Sequence, residues 1–359
     1  MGLIRAGRGA LDGTLADQWK EFFYCDSMGK DVLVTKGQKR ITGRSTNTKG
    51  NDNIISNGSG IAVADGQCLY LGDWNHRMSD PEWFDYEDGM NMITGVLRNA
   101  MEAGVKTLVD VTPFNLGRDV DLLLEAAQKT GMHIVAATGA YIDESGQFSQ
   151  ISEENLLKMI LREAREGVGT AHIRCGVIKC GTDRFGFTDL DKKLLRACGR
   201  AQKETGLPII THCRPAGTRQ GLFQQDIFEE QGADLTKVVI GHFRNGDPID
   251  YAENVMRRGS YIAIDQMNFN AHQLEYNLKL IPELIKRGYV KQLILSHDAV
   301  ICYNHTRWKD WDHRTYINYA QNSLSYMIRV VIPALRERGV SDTDIETIFI
   351  DNPKRIFDR

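Results

Sequence analysis

Short apolar runs recur along this chain, separated by longer stretches in which apolar residues return every three or four positions. The first pattern predicts buried strands and the second amphipathic helices. Residues 68–71, 106–111, 133–137, 175–179, 207–211, 237–241, 260–265 and 292–296 read as strands. Residues 88–103, 120–130, 153–166, 189–205, 224–231, 248–258 and 274–287 read as helices, with a further long helix within 318–338. Strict alternation of the two implies a parallel sheet with helical crossovers. Eight such units favour an α/β fold of the closed (β/α)8 TIM-barrel type over an open sheet. A helix over 341–348 followed by Asp351-Asn352-Pro353 would cap the C-terminal end.

Residues 1–68 have a different texture. Residues 36–60 are polar and rich in Gly, Ser, Thr and Asn, with the turn pairs Asn57-Gly58 and Ser59-Gly60. Short alternating runs at 31–34 and 60–63 flank them. The expected organisation is an irregular, partly β N-terminal extension over 1–68 and a barrel over 69–359.

Composition narrows the function classes. A net charge of −3 over 359 residues leaves no basic footprint for nucleic acid or an anionic membrane. No apolar run reaches the ~18–20 residues of a membrane span, and the first residues lack the apolar core of a signal peptide. The seven cysteines include no CxxC pair, which favours free thiols and a cytoplasmic location. Cys175, Cys180 and Cys213 read as small buried apolar filler.

Four strands end on residues that can bind metal: Gly176-Val177-Ile178-Lys179, Ile210-Thr211-His212, Ile240-Gly241-His242 and Leu295-Ser296-His297-Asp298. The gaps are 33 residues (179 to 212), 30 (212 to 242) and 56 (242 to 298). One βα unit takes roughly 30 residues, so these gaps are one, one and two units. All four side chains would then converge on the carboxyl face of the barrel, where active sites of this architecture lie. A lysine at the end of a buried strand is unusual. The bland reading of Lys179 is a salt bridge to Asp183 or Asp110. The chemical reading is that its neutral amine takes up carbon dioxide and becomes an anionic carbamate. His297 reads as a neighbour of the ligands or a substrate contact.

These segments, with Gly181-Thr182-Asp183, Pro208-Ile209-Ile210-Thr211-His212 and the closing Asp351-Asn352-Pro353, resemble the phosphotriesterase family of the amidohydrolase superfamily. The resemblance runs from about residue 85 to the end of the chain. It implies a carbamylated Lys179 bridging two divalent metals, usually zinc. His212 and His242 would hold the more exposed metal, and Asp298 the buried one while serving as proton acceptor. It implies a hydrolase that cleaves lactones, carboxylic esters, amides or phosphotriesters with water activated by the metals. A homodimer is also implied. The family opens its barrel with a His-x-His pair, where this chain has Leu71-Gly72-Asp73-Trp74-Asn75-His76. In that register His76 is the second histidine, Trp74 replaces the first, and Asp73 offers an oxygen instead. Residues 15–23 and 52–63 are similar to the start of bacterial stomatin/prohibitin-type (SPFH) proteins related to virion-core proteins. That resemblance leaves open a fused segment or a divergent extension.

The stretch 300–316 is long and aromatic, as befits a loop that selects substrate. Tyr303, Trp308 and Trp311 would wall an apolar pocket, and Arg307 or Arg314 would meet a carboxylate. Arg214, close behind His212, is a further candidate substrate contact. His305 and His313 read as polar loop residues. The expected reaction is hydrolysis of a small-molecule lactone or carboxylic ester. The alternative is a metal-deficient barrel that binds without turnover.

Overall fold

A computed structural model describes residues 80, 82–141, 148–183, 187–214, 216–267, 271–303, 309 and 324–358, and the backbone of six short strands before residue 71. Of Cys302 and Tyr303 it describes the backbone alone. The six early strands are β1 (Gly2–Ile4), β2 (Glu21–Cys25), β3 (Asp31–Leu33), β4 (Ile55–Ser56), β5 (Ala62–Ala64) and β6 (Gly66–Tyr70). The pairs β1–β5, β2–β3 and β2–β4 are antiparallel. The remaining strands are β7 (Thr107–Asp110), β8 (His133–Gly139), β9 (Val177–Thr182), β10 (Ile209–Cys213), β11 (Val238–Ile240), β12 (Tyr261–Ile264), β13 (Leu293–Leu295) and β14 (Ala299–Tyr303).

Strands β7 to β13 form one parallel sheet in strict chain order, with a helical crossover between each pair of neighbours. The curled sheet is that of a TIM-like α/β barrel. The expected first strand is β6, but it lies outside the seven-stranded ladder and pairs in parallel with β14.

Alternation along the strands divides the core into two. Val109, Ala137, Val177, Ile210, Val239, Ala263 and Ile294 pack together on the inner face. Their neighbours Leu108, Ile178, Ile209, Ile240, Ile262 and Leu295 face the helices. Buried on both sides, such strands read as unbroken apolar runs, which is why periodicity located them. Among the described residues no helix is long and apolar enough to cross a membrane.

The C-terminal cap is tied to the sheet by one side chain. Asn352 is fully buried and its Nδ2 donates to the carbonyls of Val290 (2.8 Å) and Leu293 (2.7 Å), at the entry to β13.

Candidate active site

Lys179 shares the inner face with Val177, two residues before it. Its side chain is buried, and among the described residues no carboxylate forms an ion pair with its ammonium. Neither Asp183 nor Asp110 is therefore the salt-bridge partner that the bland reading required. Asp183 meets His212 instead, and Asp110 Oδ1 accepts from the Thr112 amide at 2.8 Å.

Two glycines let neighbouring strands approach the site. Gly139 pairs with Lys179, and a Cβ there would lie 2.1 Å from the Lys179 carbonyl oxygen at a φ of +89°. Gly181 pairs with His212, where a Cβ would lie 2.6 Å from the histidine Cβ.

The rings of His212 and His242 cross at 76° with centroids 4.6 Å apart. Both are buried. His242 Nδ1 lies 2.9 Å from Asp265 Oδ1, and Asp265 Oδ2 accepts from the His242 amide at 2.9 Å. A carboxylate only accepts, so His242 Nδ1 carries a proton toward Asp265, and in the neutral ring Nε2 would be the nitrogen with the lone pair. His212 Nε2 faces Asp183 Oδ2 at 3.1 Å, and the Tyr141 hydroxyl lies 3.0 Å from its ring nitrogens. Burial holds the His212 pKa well below the usual histidine value. Asp183 opposes that shift, while the charges of His242 and Lys179 add to it. The neutral imidazole that results is the form that binds metal.

Asp298 completes the group, its Oδ2 3.8 Å from His242 Nδ1. Gln266 Nε2 donates to that oxygen at 2.7 Å. His242, Gln266 and Asp298 have φ values of 60°, 58° and 52°. Non-glycine residues rarely adopt this left-handed region, and here it breaks strand alternation at the tips of β11, β12 and β13.

His212, His242 and Asp298 thus lie together at the carboxyl ends of β10, β11 and β13, and Lys179, on the inner face of β9, is near enough for its charge to act on His212. Among the described residues, however, no three His, Cys, Asp or Glu side chains group closely enough to hold a metal by themselves. His297 is buried, and its Nε2 donates to the Leu324 carbonyl at 3.2 Å. Arg214 lies at the rim, half-buried. Asp73, Trp74, His76, His305, Arg307, Trp308, Trp311, His313 and Arg314, and the side chain of Tyr303, lie outside the described residues.

Four contributors were not anticipated: Tyr141, Arg244, Asp265 and Gln266. Asp265 carried a signal, an acid ending the apolar run between the strands of His242 and Asp298. Arg244 carried another, standing two residues beyond His242 as Arg214 stands beyond His212. Its guanidinium is made less basic by burial and then by the nearby charge of Arg214.

The model of the phosphotriesterase family matches residues 76–357. This chain belongs to that family. Its relatives include the phosphotriesterase homology protein of Mycobacterium tuberculosis, 35% identical over 71% of this chain and 80% of that protein. The aryldialkylphosphatase of Saccharolobus solfataricus is 32% identical over 79% of this chain and 88% of its own length. The N-acetyltaurine hydrolase of Salmo salar is 29% identical over 74% of this chain and 76% of its own. Named relatives of this family member are thus hydrolases of more than one bond type, and a metal-dependent hydrolase is the general class that they support.

Proposed function

We propose that this phosphotriesterase-family chain is a zinc-dependent hydrolase that opens a lactone or cleaves a carboxylic ester of a small molecule. One observation carries the reading: two buried histidines from adjacent strand tips meet ring to ring beside a buried lysine that has no ion pair among the described residues. The donor set fits a divalent cation. Asp265 leaves His242 Nε2 able to coordinate, and burial keeps His212 neutral. The set reaches full strength with Lys179 as its carbamate, which would join His212, His242 and Asp298 as a ligand. His76 is the candidate contribution of the first strand.

A divalent cation held there supplies a Lewis acid that polarises the scissile oxygen and lowers the pKa of water. Asp265 fixes the tautomer and tilt of His242. Gln266 holds Asp298 Oδ2 in place while the Asp298 carboxylate accepts the proton released by attacking water. The Tyr141 ring packs edge-on against His212, and its hydroxyl lies 3.0 Å from the imidazole nitrogens, where it helps to hold that ring. A cytoplasmic setting suits four buried free thiols.

The test is hydrolysis of γ- and δ-lactones and aryl esters by the zinc-loaded chain. Turnover of at least one class should fall to background on chelation and in Lys179→Ala. Turnover indifferent to both would overturn the reading. The N-acetyltaurine hydrolase relatives favour a second reading, the same site acting on an amide, and acylated amines added to the panel separate the two.

A further inference from the structure

The histidines at the tips of β10 and β11 are each followed, two residues on, by an arginine: His212-Cys213-Arg214 and His242-Phe243-Arg244. The strands are parallel neighbours in fixed register, with Ile210 opposite Val239. That register sets Arg214 opposite Phe243, so the two arginines leave adjacent strands within one residue of the same level, beyond the histidine pair. Both are half-buried, and each guanidinium lies within the other's field. Like charges held together at a partly desolvated rim are unfavourable unless something negative lies against them.

Among the described residues Asp265, Asp247 and Asp298 act on Arg244 through space and offset part of that repulsion. Neither guanidinium has an ion pair there, whereas Arg118, Arg219 and Arg258 lie 2.7, 2.8 and 2.6 Å from carboxylate oxygens. Arg214 Nε is buried without a hydrogen-bond partner. Arg244 Nη1 makes one long contact, 3.3 Å to Gln266 Oε1. The neighbouring carboxylate, Asp247, is committed to the backbone: Oδ1 accepts from the Gly217 amide (2.7 Å) and Oδ2 from the Arg244 amide (3.2 Å). It laces together the two loops that carry the arginines and so fixes their spacing in advance of any ligand. Gln266 also donates to Asp298, so two hydrogen bonds join Arg244 to the proposed proton acceptor.

We propose that Arg214 and Arg244 form an anion subsite at the mouth of the barrel, and that the substrate carries an oxyanion group, such as a carboxylate, a few atoms from the bond that is cleaved. Paired guanidiniums suit an oxyanion because their planar forks donate two parallel hydrogen bonds each. The inference rests on the hydrolase reading above, and its test separates the two.

The zinc-loaded full chain is assayed on a γ-lactone bearing a ring carboxylate and on the same lactone bearing a carboxamide. The wild-type chain should favour the carboxylate in kcat/KM. Arg214→Gln and Arg244→Gln should each cut that preference by about 10- to 100-fold, with Arg→Lys at either position cutting it less. The lysine variants keep the result readable if a glutamine variant misfolds. In parallel, calorimetry on the metal-free chain measures tetrahydrofuran-2-carboxylate against its carboxamide. The carboxylate should bind more tightly, and the advantage should vanish in the glutamine variants. Carboxylate binding lost in those variants, with no turnover of either lactone or of the δ-lactones and aryl esters, would support the subsite and reject the hydrolase reading. Equal rates on the two lactones, or a preference untouched by all four variants, would overturn the subsite while leaving the hydrolase standing.

Discussion

At the residue scale, the site is built by re-aiming side chains at strand tips. His242, Gln266 and Asp298 all turn through left-handed backbone, at a cost of order 1–3 kcal/mol each. Such conformations persist where the surroundings enforce them, and Asp265 and Gln266 do so by hydrogen bonds to His242 and Asp298. Asp265→Ala should therefore weaken zinc affinity about 10- to 100-fold in a competitive chelator titration. Unchanged affinity would remove Asp265 from the site. His212 makes a pH prediction for the metal-free chain. Burial lowers its folded pKa, so the unfolded chain takes a proton near pH 6.5 that the folded chain refuses. Stability is full above that pH and is lost as pH falls toward the folded value. Denaturant midpoints should drop between about pH 7.5 and about pH 5, and the drop should shrink in His212→Gln. An equal drop in that variant would place the titration elsewhere. The thiols offer a third check. Cys175, Cys180, Cys198 and Cys213 are buried, and desolvation pushes Cys175 and Cys213 up to about 12. A thiol reagent near neutral pH should reach them only after denaturation, leaving at most three of the seven cysteines titratable in the folded chain.

At the element scale, legibility in the sequence followed the physics of each segment. The helix Asp189–Thr205 was readable at both ends because Thr188 and Asp191 form a capping box and Gly206 takes the left-handed C-terminal position. The helix Gln220–Glu230 begins four residues before the segment 224–231 that periodicity indicates. Its buried face is polar: Gln224 donates to the His212 carbonyl and Thr182 Oγ1, and Gln225 to the Val255 carbonyl and Ser260 Oγ. Hydrophobic periodicity cannot see a face that is buried through hydrogen bonds. The four strand-tip residues were legible because each ends an apolar run. Arg244, Gln266 and Tyr141 were not, because their roles depend on loop backbone and on contacts across the mouth. The close strand contact at Gly181 is likewise a matter of packing. Gly181→Ala would press a methyl group to 2.6 Å of His212 Cβ and push that ring from its place. Zinc affinity should fall, with the melting temperature falling by a few degrees at most. Wild-type affinity in that variant would show the ring free to shift without loss.

At the scale of the whole molecule, the barrel is held by buried polar ties as well as by its apolar layers. Arg118 is nearly buried and grips Glu163 through two 2.7 Å hydrogen bonds, while donating to the Ala137 carbonyl at 2.7 Å. Thr138 Oγ1 adds a bond to Glu163 at 2.6 Å. The loop after β7, the strand β8 and the helix Glu153–Arg165 meet in this one network. Glu163→Ala would leave the guanidinium buried without its counter-ion and should cost about 3–5 kcal/mol in denaturant unfolding. A cost below about 1 kcal/mol would mean that water reaches Arg118. The start of the barrel was the least legible part, because β6 pairs with β14 outside the main ladder. The central claim concerns four side chains, and metal analysis tests it most directly. Elemental analysis of chain purified with zinc should find at least one equivalent in the wild type, and a loss of that metal in each of Lys179→Ala, His212→Ala, His242→Ala and Asp298→Ala. A folded wild-type chain that holds no zinc, or variants that hold as much as it does, would contradict the account.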